Sequence, residues 1–251
     1  RQTDTAGNIS AATTYNFTLD TAAASAPGVA LSSDTGASTT DKLTNLGTLS
    51  VTSVESGAKV EYSIDGGNNW STTFTAVEGL NSVQVRQTDV SGNISGATSF
   101  SFTFDTTASA APSLALSSDT GTSSTDKITN AGTVNVSGLE SGATWQYSTN
   151  NGTSWTTGVG SSFTLTGDGS KAVVVRQTDF AGNTSVNSTA LSFTLDTIAP
   201  TTSVSTITIS SDTGSNTMDF ITNVATQTVS GNLSAVIAAG EVVKVSGDNG
   251  Q

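Results

Sequence analysis

The residues of this chain that could do chemistry are oxygen donors, and they return in a fixed order. The string Ser-Ser-Asp-Thr-Gly occurs three times, placing a carboxylate at Asp34, Asp119 and Asp212. Seven residues on stands a second carboxylate, at Asp41, Asp126 and Asp219, and a Thr-Asn pair closes each block at Asn45, Asn130 and Asn223. A second string, Arg-Gln-Thr-Asp, starts at Arg1, Arg86 and Arg176, and its later copies carry the pairs Asp89/Asn93 and Asp179/Asn183. A third string, an apolar residue followed by Asp-Thr, contributes Asp20, Asp105 and Asp196. A hard divalent cation such as Ca²⁺ takes about six to eight oxygen ligands from carboxylates, amide and backbone carbonyls and water, so these residues form a candidate calcium-ligand set. The spacing is neither that of the EF-hand loop nor that of the nonapeptide β-roll. Asp and Asn are equally ordinary turn residues, because their side chains bond nearby backbone N–H groups. Both readings stand at this level.

Composition removes most other chemistry. The chain has 251 residues, no Cys and no His, which excludes disulfides, thiol nucleophiles, Cys/His zinc sites and His-based triads. The net charge is −12 and there is no basic run, so neither nucleic acid nor an anionic membrane surface is an expected partner. No apolar run approaches the ~20 residues of a membrane-spanning helix, so no membrane insertion is expected in this segment. Arg1 is not an initiator Met, and the chain reads as an internal fragment of something longer. Paired carboxylates could serve glycoside hydrolysis, but these repeat in every copy and fall in turns, whereas an active site appears once. No phosphate loop is present. The expectation is a protein that is not an enzyme.

The repeat sets the architecture. Copies of Arg-Gln-Thr-Asp lie 85 and 90 residues apart, which suits one β-sandwich domain and is too long for a solenoid coil. Cutting at the Asp-Thr linkers gives residues 1–20 as the last strands of a truncated domain, 21–105 and 106–196 as complete domains, and 197–251 as the first part of another. Alternating apolar and polar residues predict strands at Ser113–Ser117, Thr133–Ser137, Trp145–Ser148, Phe163–Leu165, Ala172–Gln177 and Leu191–Leu195. Asn150-Asn151-Gly152 reads as a hairpin turn, matched by Ile64-Asp65-Gly66-Gly67 and by Asp248-Asn249-Gly250. No stretch has a helical period. The fold class is therefore all-β: tandem immunoglobulin-like antiparallel sandwiches arranged end to end. If the first and last strands of a domain run the same way, the loop carrying Asp34 and Asp41 lies beside linker Asp105. The turn carrying Asp179 and Asn183 of the next domain then faces that same junction. Unneutralised, such carboxylates would repel one another; a divalent cation would stiffen the joint.

The succession LDT, SSDTGxSxTDxxTN, SxDGGxxW and RQTDxAGN resembles the bacterial Ig-like repeats of large secreted adhesins, the biofilm-associated and RTX-type giant adhesins. The resemblance covers essentially the whole chain. It implies an extracellular or cell-surface location, a long array of neighbouring Ig-like repeats and calcium at or near domain junctions. It also implies a host or biofilm-matrix target engaged through other parts of the protein. The function expected is that of a calcium-stiffened stalk supporting adhesion or biofilm formation. A glycan- or protein-binding Ig-like module, or a spacer of an extracellular enzyme, is the alternative. Trp70 and Trp155 are expected to cover the edge of a thin core, with sugar stacking as the rival role. Arg86 and Arg176 are expected to pair with Glu55 and Glu140 or a junction Asp, or to be solvated.

Overall fold

The computed structural model describes residues 1–247, so the third hairpin turn, Asp248-Asn249-Gly250, lies outside the described residues. The chain divides into two units, one of residues 1–195 and one starting at Asp196. Among the described residues there is no helix. The fold is all-β.

The first unit holds two sandwiches. Repeat one contains β1 (Gly28–Leu31), β2 (Leu43–Thr44), β3 (Leu49–Thr52), β4 (Lys59–Ser63), β5 (Gly79–Thr88) and β6 (Thr98–Phe104). Repeat two contains β7 (Ser113–Leu116), β8 (Ile128–Thr129), β9 (Thr133–Ser137), β10 (Thr144–Ser148), β11 (Thr156–Thr157), β12 (Ser162–Thr164), β13 (Gly169–Thr178) and β14 (Leu191–Leu195). In repeat two a sheet of order β11-β10-β13-β14-β8 faces one of order β12-β9-β7; in repeat one β2-β6-β5-β4 faces β1-β3. Period-2 alternation aims Val173, Val175, Phe193 and Leu195 from one sheet at Val134 and Val136 from the other, and all are buried. Trp145 is buried among them, and Phe163 stacks on Tyr147 with ring centroids 4.2 Å apart.

The sandwich is not wholly antiparallel. In each repeat the chain leaves its first strand, rounds the Asp-Thr-Gly loop and enters the opposite sheet. There β2 runs parallel to β6, and β8 runs parallel to β14. These pairs are two residues long, too short for any alternation to register in sequence. The switch matters because it holds both ends of the Asp-Thr-Gly loop, one in each sheet, beside the strand that runs into the linker.

Residues 1–20 carry an isolated bridge, Thr3 to Ile9, and no extended strand; Tyr15 and Phe17 are exposed. The second unit, by itself, has β15 (Val204–Ile209) antiparallel to β16 (Val229–Leu233), with a register shift between Ser205 and Thr208.

Candidate joint site between the repeats

Each Asp-Thr-Gly loop is closed by its own carboxylates. Asp34 Oδ2 accepts the Lys42 N–H at 2.9 Å, and Asp41 Oδ1 accepts the Leu43 N–H at 3.0 Å. Asp119 and Asp126 do the same to Lys127 and Ile128 at 2.9 and 3.0 Å, and Asp212 and Asp219 to Phe220 and Ile221, both at 3.0 Å. The residue between the two clamps is left-handed in all three loops: Lys42, Lys127 and Phe220 have φ of 61, 60 and 60°. Such φ values cost a non-glycine residue energy and persist only where surrounding bonds impose them. One oxygen remains over in each loop. Asp34 Oδ1, Asp119 Oδ1 and Asp212 Oδ1 are buried and accept no hydrogen bond.

The carboxylates of the Asp-x-x-Gly-Asn turns are engaged by their own turns. Asp179 Oδ1 accepts from Gly182 N and Asn183 N at 2.8 Å each, and Oδ2 accepts from Asn183 Nδ2 at 3.0 Å. Asp89 holds Ser91 N, Asn93 N and Asn93 Nδ2 at 2.8, 2.8 and 2.9 Å. The Asn93 side-chain amide, with the turn's backbone N–H groups, holds the Asp89 carboxyl below its usual range. The linker residues Asp20, Asp105 and Asp196 each cap the N–H two residues on, at 3.0, 2.9 and 3.1 Å.

The loop of repeat one and the turn of repeat two meet. Ala37 N donates to Phe180 O at 3.1 Å. Thr35 Oγ1 lies 2.6 Å from Ala181 O and 2.9 Å from Asn45 Oδ1, so its single proton belongs to the nearer carbonyl. Asn45 Nδ2 donates to Asn183 Oδ1 at 3.2 Å, and Asn183 Nδ2 donates to the linker carbonyl of Asp105 at 2.9 Å. The turn of repeat one reaches its own preceding linker in the same way, Asn93 Nδ2 to Asp20 O at 3.2 Å. Ala181 is fully buried. Gly36 has φ of +91°, and a Cβ there would lie 1.9 Å from Phe180 O.

Of the candidate ligands, Asn45, the Asp105 backbone and Asn183 are therefore brought into one hydrogen-bonded chain. The carboxylates are not gathered: among the described residues no group of three or more acidic side chains could hold a metal. Thr35, Gly36, Phe180 and Ala181 were not singled out by sequence. The repeated Thr-Gly after each loop Asp was the signal available.

Arg86 and Arg176 depart from expectation. Arg86 Nε meets Glu61 at 3.0 Å, and Arg176 bonds Gln146 Oε1 at 2.9 Å. Glu55 and Glu140 instead donate their backbone N–H groups to Gln87 and Gln177. Arg86 stacks 4.0 Å over the Trp70 ring and Arg176 4.1 Å over Trp155. Since strand residues alternate, this stack lies on the outer face of β5 and β13, opposite Val85 and Val175. The tryptophans thus cover arginines outside the sheet rather than the edge of the core.

Fold and joint together define tandem Ig-like sandwiches, of which repeats one and two touch directly. Residues 107–197, which contain every strand of repeat two, match the family of bacterial Ig-like domains, so the resemblance read from the repeated strings holds over that segment. A solved tetra-tandem repeat from the extending region of a large adhesion protein is 20% identical, over 76% of this chain and 53% of that one, with a TM-score of 0.22. This chain thus spans about half that structure's length. The D00-D0 domain of intimin is 13% identical, over 66% of this chain and 98% of that one, also with a TM-score of 0.22. No curated protein matches the chain. No helix among the described residues is long and apolar enough to cross a membrane.

Proposed function

We propose that this chain is a stalk segment of a secreted bacterial surface adhesin. It supplies reach in support of cell adhesion or biofilm formation and catalyses nothing. The observation that carries the reading is the direct hydrogen-bonded contact between consecutive repeats, made by residues that the repeat itself supplies. A host or matrix target would then be engaged by other parts of the protein, outside the cell.

Calcium belongs to the same proposal. A buried carboxylate oxygen without a donor is costly, and here one occurs at the same place in three loops, at Asp34, Asp119 and Asp212. Asp41, Asp126 and Asp219 stand in the same loops, and the backbone carbonyls and hydroxyls of those Ser- and Thr-rich segments are further oxygen donors suited to a hard cation. These oxygens would suit a site within each loop that includes its orphaned carboxylate oxygen. Calcium held there would supply charge neutralisation to the loop that forms the joint.

The test is thermal unfolding in excess chelator and in about millimolar calcium, the range of extracellular modules. Calcium should raise Tm, and D34N/D119N/D212N should abolish the rise. An unchanged Tm in the native chain on adding calcium would remove calcium from the reading.

A further inference from the structure

We infer that the joint between the two repeats is a direct interlock that closes without a bridging cation, and that Gly36 is the residue that lets it seat. The inference deepens the stalk reading but stands on the joint's own atoms, whether or not calcium binds.

The bonds between the loop of repeat one and the turn of repeat two are all uncharged; at the linker beside them the Glu78 carboxylate of repeat one accepts from Thr106 N and Thr106 Oγ1 at 3.0 Å each and from Thr107 Oγ1 at 3.3 Å. Ala37 N to Phe180 O, Thr35 Oγ1 to Ala181 O, and Asn45 Nδ2 to Asn183 Oδ1 join the loop to the turn. Asn183 then reaches on to the Asp105 carbonyl. The carboxylates nearby point their acceptors at their own backbone, Asp41 at Leu43, Asp179 at Gly182 and Asn183, and Asp105 at Thr107. Those oxygens shape the loop and the turn, while Asp34 Oδ1, buried and without a donor, makes no bond across the joint.

The receiving surface is formed in advance. In repeat two, Thr120 and Asn130 hold the same arrangement as Thr35 and Asn45: Asn130 N donates to Thr120 Oγ1 at 2.8 Å, and Thr120 Oγ1 lies 3.0 Å from Asn130 Oδ1. A Cβ on Gly121 would have nothing within 4 Å, whereas one on Gly36 would collide with Phe180 O. The loop therefore adopts this shape by itself. What the seated turn adds is a carbonyl at 2.6 Å to take the threonine proton, and an amide to take the asparagine N–H. A preformed loop loses little freedom on docking, which favours one fixed joint angle.

Gly36 and Gly121 make a controlled pair. Both are left-handed, at φ +91° and +99°, so alanine strains either loop alike, but only at Gly36 does the added methyl block the joint. The chain has no Cys, so T72C and T157C place one spin label on each repeat, both at exposed positions that take no part in the joint's bonds. Double electron–electron resonance on the labelled full chain in chelator should give one narrow distance, unchanged by calcium. G36A should broaden it and G121A should not. T35V, which removes the hydroxyl at nearly constant volume, should also broaden it and guards against a misfolded G36A. A broad distribution in chelator, whether or not calcium narrows it, would overturn the interlock. So would a narrow distribution in both G36A and T35V. A narrow distribution together with a calcium-insensitive Tm would keep the interlock and sink only the calcium proposal.

Discussion

Gln177 does at the residue scale what no disulfide can do in this Cys-free chain. It is buried, and its Nε2 donates to Ala110 O at 2.7 Å and to Gly138 O at 3.1 Å, while its Oε1 accepts from Glu140 N at 2.8 Å. One amide thus ties β13 to the incoming linker and to the loop after β9. Gln87 does the same in repeat one with Ser25, Ser53 and Glu55. Gln177→Leu keeps the volume and leaves a buried N–H and two carbonyls unanswered. It should cost repeat two about 3 kcal/mol, read from its denaturation midpoint. Sequence showed that Arg-Gln-Thr-Asp repeats but not what each residue does. Alternation along Val173, Val175 and Gln177 places Gln177 on the core face, yet the partners that make it tolerable there are backbone groups of distant segments. The Trp155–Arg176 stack was hidden for the same reason, since only pairing of β10 with β13 sets the register that brings them together.

Elements were more legible where alternation ran long. Thr133–Ser137 and Leu191–Leu195 were predicted with the bounds observed. What escaped notice was the difference between near-identical copies. In repeat two, β11 pairs with β10, the chain crosses to the other sheet, and β12 covers the edge of β9. Phe163 follows Trp155 by eight residues, but in repeat one Phe74 follows Trp70 by only four. With Ser71 held to Tyr62 by a bridge, too little chain remains to cross and run beside β3. Phe74 still reaches the core, 6.2 Å from Phe102 between centroids, but no strand joins β1 and β3 in their sheet. An open groove lined by Leu49, Tyr62, Phe74 and Phe104 is left beside that edge. Val136 N donates to Ser161 O at 2.8 Å; its counterpart Val51 faces the uncovered side. Amide hydrogen exchange should therefore be faster at Val51 than at Val136, by about five- to thirty-fold for one missing bond. Equal protection would mean that repeat one covers its edge after all.

At the scale of the molecule, the acidic charge is unevenly used, and this gives the two repeats different responses to acid. Repeat one has Glu61 and Asp65 where repeat two has Gln146 and Asn150. Lys59, bonded to Glu61, and Arg86 beside it hold the Glu61 carboxyl below its ordinary value. Backbone and side-chain N–H groups of Asn69 hold Asp65 at about 2. Depressed carboxyls stabilise the fold above their unfolded pKa, and that stability is lost as pH falls through the folded value. Between about pH 4.5 and 2 the unfolded repeat one takes up protons that the folded one refuses, so its stability declines across that window. At the two matching positions of repeat two there is no proton to take up. Gln146 bonds Arg176, and Asn150 Oδ1 accepts Ser154 N at 2.9 Å, as Asp65 accepts Asn69 at the same distance. Repeat two therefore already shows that the neutral residues keep the geometry. E61Q/D65N, which writes repeat two's residues into repeat one, should reduce the acid limb of repeat one's stability, leaving only the share of Glu78 and Asp89, without disturbing its fold at neutral pH. Resolved amide signals from each repeat, followed through a denaturant titration at pH 6 and again near pH 3, would measure both losses in the same chain. If repeat two lost as much stability as repeat one, or if the double variant kept the native slope, the carboxylates named here would not be the source of the acid sensitivity.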